Sequence, residues 1–200
     1  MTKRFLFQSC IVVILSAFFV QAETKLPSIL GSHMVLQQGE KCPIWGWDDP
    51  DEDVTVEFAG RIYGTNVGPD GRWEVHLRSM KANAKGQTLT IRGSSVIELK
   101  DVLVGEVWLC SGQSNMEWTV SRSANPKEEI ANGNHPLIRH IKIPHRPSAK
   151  PENNVPSQGW QVCSPKVVAN FTAVGYYFAR HLQGEIKVPI GLIGSNWGGT

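Results

Sequence analysis

Between Leu26 and Val104 the apolar residues come in short bursts, and none keeps a helical period. "MVLQQ", "KCPIWGW", "DVTVEFA", "RIYGTNVG", "RWEVHL", "QTLTIRG" and "IELKDVLV" are rich in Val, Ile, Thr, Trp and Tyr, and Gly, Pro, Asp and Asn divide them. Val54-Thr55-Val56-Glu57-Phe58 and Trp73-Glu74-Val75-His76-Leu77 alternate strictly, the pattern of a strand with one buried face. "GPDGRW", Gly68 to Trp73, is a turn by composition: Pro69 presets φ and Gly71 accepts a left-handed conformation. About seven strands at roughly ten-residue spacing predict an antiparallel β-sandwich over residues 23–103.

After Val104 the pattern changes. Glu106 to Cys110 and Leu137 to Ile143 are short apolar strands. Phe171, Val174, Gly175, Phe178 and Leu182 fall on one face of a helix, with Asn170 or Thr172 as cap and Gly184 as stop. Val188 to Asn196 is again an apolar run ended by small residues. Strand, helix and strand, with the strands apolar on both faces, predict the start of a parallel α/β sheet over residues 104–200. So small a sheet buries little area against its ordering cost. The sequence also stops at "SNWGGT" without a cap or polar tail. Both features lead us to expect that the α/β unit continues in a longer protein.

The N-terminus reads as an export signal. Lys3 and Arg4 precede an apolar stretch from Phe5 to Val20, and Val20-Gln21-Ala22 suits a signal peptidase. About 16 residues is short of the roughly 20 that a spanning helix needs. A signal peptide over residues 1–22 is therefore expected, giving a periplasmic, secreted or lumenal protein with no membrane segment in the mature form. Its removal leaves 18 basic and 18 acidic residues without a basic run, so nucleic acid is not an expected partner. Cys42, Cys110 and Cys163 remain in no metal-binding spacing; three buried thiols, or one bridge and a free thiol, are both compatible.

The chemistry concentrates at two strand ends. In parallel α/β sheets ligands bind at the carboxyl ends of the strands. "SGQSNM" follows the strand at Glu106 to Cys110, and "GSNWGGT" follows the one at Pro189 to Ile193. Gly112 lets the chain turn so that the Ser114 hydroxyl projects, and Gly198-Gly199 frees two backbone N–H groups for close approach. A serine oxygen facing backbone donors is the skeleton of acyl transfer, although small-residue loops after strands are also common as plain turns.

The segment "GEVWLCSGQSNMEW", with "LKDVLV" before it, resembles the nucleophile block of the sialate O-acetylesterase family of SGNH hydrolases. "PIGLIGSNWGGT" resembles that family's second block. "LPSILGSHMVLQQGEKCPIWGWDDPDEDVTVEF" and "PDGRWEVHL" resemble the β-sandwich that precedes its flavodoxin-like hydrolase domain. The resemblance implies that Ser114 is the nucleophile and that its own N–H and that of Gly198, or else Gly199, serve the oxyanion. Gln113, Asn115 and Trp197 are the candidate substrate contacts. It further implies hydrolysis of acetyl esters on sugars by a Ser–His–Asp route, with no metal or cofactor. The family's third oxyanion group and its Asp-and-His pair lie in later blocks, so the 200 residues alone are expected to be nearly inert.

None of the six histidines stands in an Asp-x-x-His setting, and each reads as a surface or sheet residue. Trp45, Trp47 and Trp73 read as core or rim of the sandwich; Trp118 and Trp197 read as packing under the loops or flooring a sugar. Two alternatives stay open at this stage. One is an esterase of the same fold acting on another acetylated carbohydrate such as xylan. The other is a carbohydrate-binding β-sandwich without catalysis.

Overall fold

The computed structural model describes residues 23–199; the expected signal peptide lies outside them. Its strands follow the sequence closely. β1 (Val35–Gln37), β2 (Cys42–Trp47), β3 (Asp53–Phe58), β4 (Arg61–Asn66), β5 (Arg72–Leu77) and β6 (Asn83–Arg92) fall on the apolar bursts. In β3 and β5 the buried residues are Val54, Val56 and Phe58, then Trp73, Val75 and Leu77. Alternation in the sequence has become alternation of environment.

β7 is longer than any apolar burst implied, running from Val96 to Gly112. Its first half pairs antiparallel with β6, a short stretch pairs parallel with β1, and Glu106–Gly112 pairs parallel with β10 (Ile190–Asn196). β10 pairs parallel in turn with β8 (His135–Lys142), and β9 (Gln161–Cys163) closes the edge antiparallel. The result is one mixed sheet of eight strands, ordered β4-β3-β6-β7-β10-β8-β9 with β1 beside β7, and a separate pair, β2-β5. The boundary expected between residues 103 and 104 therefore falls inside a continuous strand.

Two cores form. The first joins Ile44, Trp73, Val75 and Leu77 of the small sheet to Val54, Val56, Phe58, Leu89, Ile91 and Val102 of the large one, and extends to Ile141 and Trp160. The second packs Cys110, Ile138, Ile190 and Leu192 against Phe171, Tyr176 and Ala179. Apolar residues of β8 and β10 are thus divided between the two cores, Ile138 from Ile141 and Leu192 from the partly buried Ile193.

The main helix, α3 (Ala173–Ile186), is the third α-helix among the described residues, after α1 (Ser114–Glu117) and α2 (Pro126–Ala131). Thr172 caps α3, its hydroxyl accepting from Gly175 N–H at 3.5 Å, as one of the two expected caps. Two other expectations need correction. The buried face is Ala173, Gly175, Tyr176 and Ala179, while Val174 and Phe178 are 49% and 41% exposed. Phe178 instead meets Trp108 of β7 edge-on, with ring centroids 4.9 Å apart, so an outward apolar patch mimicked a core face. Gly184 does not stop the helix, which continues to Ile186 and ends where Lys187 turns left-handed. Cys42, Cys110 and Cys163 are all buried free thiols. Burial pushes each thiol upward, Cys163 to about 11.

Candidate active site

β7 and β10 end side by side: Ser195 is paired with Ser111 and Asn196 with Gly112. Two hydrogen bonds extend the register past the sheet, from Trp197 N–H to Gly112 O at 2.9 Å and from Asn196 Nδ2 to Cys110 O at 3.4 Å. The two small-residue loops singled out in the sequence are therefore neighbours in space.

Gly112 has φ +142°, a conformation that disfavours side chains, and a methyl group there would come within 2.9 Å of Met116 Cγ. The chain turns at this point and enters α1, whose first residue is Ser114. Ser114 is exposed, and its hydroxyl has no hydrogen-bond partner among the described residues. Gly198 packs directly on it: a methyl group at Gly198 would lie 3.2 Å from Ser114 Oγ and 2.7 Å from Glu117 Oε2. A side chain here would press on Ser114 and push the Glu117 carboxylate aside.

Ser114 and Gly198 are thus brought together. The backbone N–H of Ser114 opens a helical turn, where the first amides have no partner within the helix. The Gly198 N–H, in contrast, already donates to Glu117 Oε2 at 2.7 Å. Gly199 has φ +83° and open space around it.

Gln113 and Trp197 line one cavity of about 480 Å³, together with Ser111, His145, Arg146 and Asn196. Asn115 does not share it; it faces a separate cleft with Trp118, Ala173 and Val174. Trp197 is not tucked under its loop. It lies flat on the His145 ring, with centroids 4.4 Å apart and planes within 5°, and presents an aromatic face at the cavity. Trp118 is also exposed, its Nε1–H donating to Arg122 O.

Sequence reasoning missed two residues here, Glu117 and His145. His145 Nε2 lies 2.9 Å from Glu117 Oε1 and 2.9 Å from Asn196 O. A carboxylate and a carbonyl only accept, so Nε2 carries the hydrogen. The other histidines sit away from the serine: His33 on Asp101, His76 by Glu74, His135 beside Tyr176, His181 exposed on α3. His140 is buried against Phe171, and burial, aided by the Lys142 charge, lowers its pKa to about 4. No group of His, Cys, Asp and Glu suited to a metal occurs among the described residues.

No family model matches the chain. It is 30% identical over 195 residues to the sialate O-acetylesterase of Mus musculus and 29% identical over 196 residues to that of Homo sapiens, 88% of this chain in each case. Among solved structures, a carbohydrate acetylesterase from Xanthomonas citri superposes with a TM-score of 0.86 at 34% identity, over 89% of this chain and 41% of that one. The chain spans 36% of the mouse relative's length and 37% of the human one's. In sequence the chain is similar to sialate O-acetylesterases, and in fold to a carbohydrate acetylesterase, over less than half the length of each.

Proposed function

We propose that this chain supplies the nucleophile to an exported carbohydrate O-acetylesterase of SGNH type, preceded by a β-sandwich. The observation that carries the proposal is the contact between Ser114 and Gly198 at adjoining parallel strand ends, which sets an exposed hydroxyl beside close backbone. An acetyl ester placed there would be attacked by Ser114 Oγ, with Ser114 N–H and an amide of the Gly198-Gly199 pair taking the developing negative charge. The flat Trp197 face suits the apolar face of a sugar, and Gln113 lines the same cavity. The names of the relatives make an acetylated sugar, of sialate type, the first substrate to try.

His145 is not the base in this reading. Neither of its ring nitrogens bonds Ser114 Oγ among the described residues, its Nε2–H is held by Glu117 and Asn196, and its ring is stacked on Trp197, so we assign the proton from Ser114 to a group elsewhere in the full-length protein. Ser114→Ala in that protein should reduce acetate release from an acetylated sugar by about 10,000-fold or more, the scale of loss when a triad member is removed. His145→Ala should cost far less. Full activity in the Ser114 variant would discard the nucleophile, and equal losses in both variants would make His145 the base.

A further inference from the structure

Glu117 lies one helical turn from Ser114 and links the ends of β7, β10 and β8. α1 joins it directly to the end of β7. Its Oε2 accepts from Gly198 N–H at 2.7 Å, just beyond β10. Its Oε1 accepts from His145 Nε2 at 2.9 Å, just beyond β8, and Lys142 Nζ stands 3.9 Å from the same oxygen. His145 passes the linkage on, bonding Asn196 O and stacking on Trp197. One partly buried carboxylate therefore gathers the loop that carries the glycines and the aromatic face of the cavity. Charge-assisted bonds of this kind are stronger and shorter than neutral ones, and they fix direction as well as distance.

We propose that Glu117 is a positioning residue, holding the Gly198 peptide and the His145–Trp197 pair in place around Ser114. The inference rests on Ser114 being the nucleophile. It has a consequence for the oxyanion: the Gly198 N–H is spent on Glu117, and a carboxylate beside it opposes a second negative charge. The amides that serve the acyl oxygen are then those of Ser114 and Gly199, and Gly198 is required for closeness rather than for its hydrogen.

The test uses the full-length protein and acetate release from an acetylated sugar. Glu117→Ala should lower kcat by at least 10-fold with KM changed by less than about 3-fold, because placement of catalytic groups is lost while the sugar contacts remain. Glu117→Gln keeps an oxygen for Gly198 N–H and should recover part of that kcat. Amide hydrogen exchange at Gly198 should be protected in the wild-type protein and fast in Glu117→Ala, with the melting temperature of both little changed. A Glu117→Ala enzyme with kcat within 2-fold of wild type, or with a raised kcat, would overturn the proposal. So would equal kcat losses in the Ala and Gln variants, or a loss that follows a fall in melting temperature. Ser114→Ala, measured alongside, separates the two readings: its inactivity with a fully active Glu117→Ala sinks the positioning role alone, and its activity sinks the nucleophile.

Discussion

His140 shows how one residue can carry a pH dependence without any part in chemistry. It sits in β8 with 3% of its surface exposed, stacked on Phe171 at 4.4 Å, and its Nε2 has no hydrogen-bond partner among the described residues. A methyl group at Gly194 would fall 2.8 Å from that nitrogen, so the ring is closed in on this side too. Burial first, and then the nearby Lys142 charge, keep it neutral down to about pH 4, whereas in the unfolded chain it would gain a proton near 6.5. Its contribution is present above pH 6.5 and is lost as pH falls from 6.5 toward 4, because only the unfolded state binds the proton there. Between pH 7 and pH 5 this amounts to about 2 kcal/mol. Urea unfolding at the two pH values measures it, and His140→Leu should flatten the difference; an unchanged difference would place the dependence elsewhere. Residues of this kind were only half legible. Ser114 stood out as a candidate because its whole loop is contiguous in the sequence. Glu117 and His145 did not, since their contact joins two elements whose adjacency only the sheet order reveals.

At the scale of the element, α3 and the strands contrast. The strands were legible because alternation is a local signal, and the pleat converts it directly into burial. The helix was placed correctly and Phe171, Gly175 and Leu182 do meet the core, but Val174 and Phe178 are apolar yet exposed, Phe178 against Trp108. What seats α3 is Gly175, where a methyl group would come within 2.7 Å of Thr172 Cγ2 and 2.8 Å of Cys110 Sγ. Gly175→Ala would ordinarily help a helix by about 1 kcal/mol. Here the overlap with the capping threonine and with β7 should outweigh that gain, for a net loss of about 1–3 kcal/mol. A calorimetric melting temperature equal to or above wild type would show that the helix can lift without cost.

For the molecule as a whole, the decisive joint is the middle of β7. Asp101 adopts φ +55° there, opposite an irregular stretch of β6, where the strand passes from antiparallel to parallel neighbours. Its carboxylate accepts from Arg139 Nη1 of β8 at 2.6 Å and meets His33 Nδ1 at 2.8 Å. Burial alone would raise the Asp101 carboxyl, but the bonds from Arg139 and then His33 outweigh it and hold it below the usual carboxylate range. A depressed value stabilises above the ordinary carboxylate pKa of 3.8 and is lost as pH falls below it, so this joint should loosen only under strong acid. The Arg139 side chain is 5% exposed and Asp101 37%, so removing the carboxylate strands a buried cation beside a half-open partner. Asp101→Asn keeps a residue that tolerates positive φ and should cost about 2–3 kcal/mol by denaturant unfolding. A cost below 0.5 kcal/mol would mean that the joint is held by packing alone. The joint was hidden in the sequence because a strand that changes partners carries no punctuation: "KDVLVGEVWLC" reads straight through.

That uninterrupted strand bears on how the protein could be taken apart. A linker invites scissors, shuffling and grafting, because each side keeps its own backbone bonds after the cut. Here the same seventeen residues carry the ladder of one half and the serine loop of the other. Excising either half would leave its neighbour an exposed row of N–H and C=O groups, so the two are expected to express and to be engineered best as a single piece.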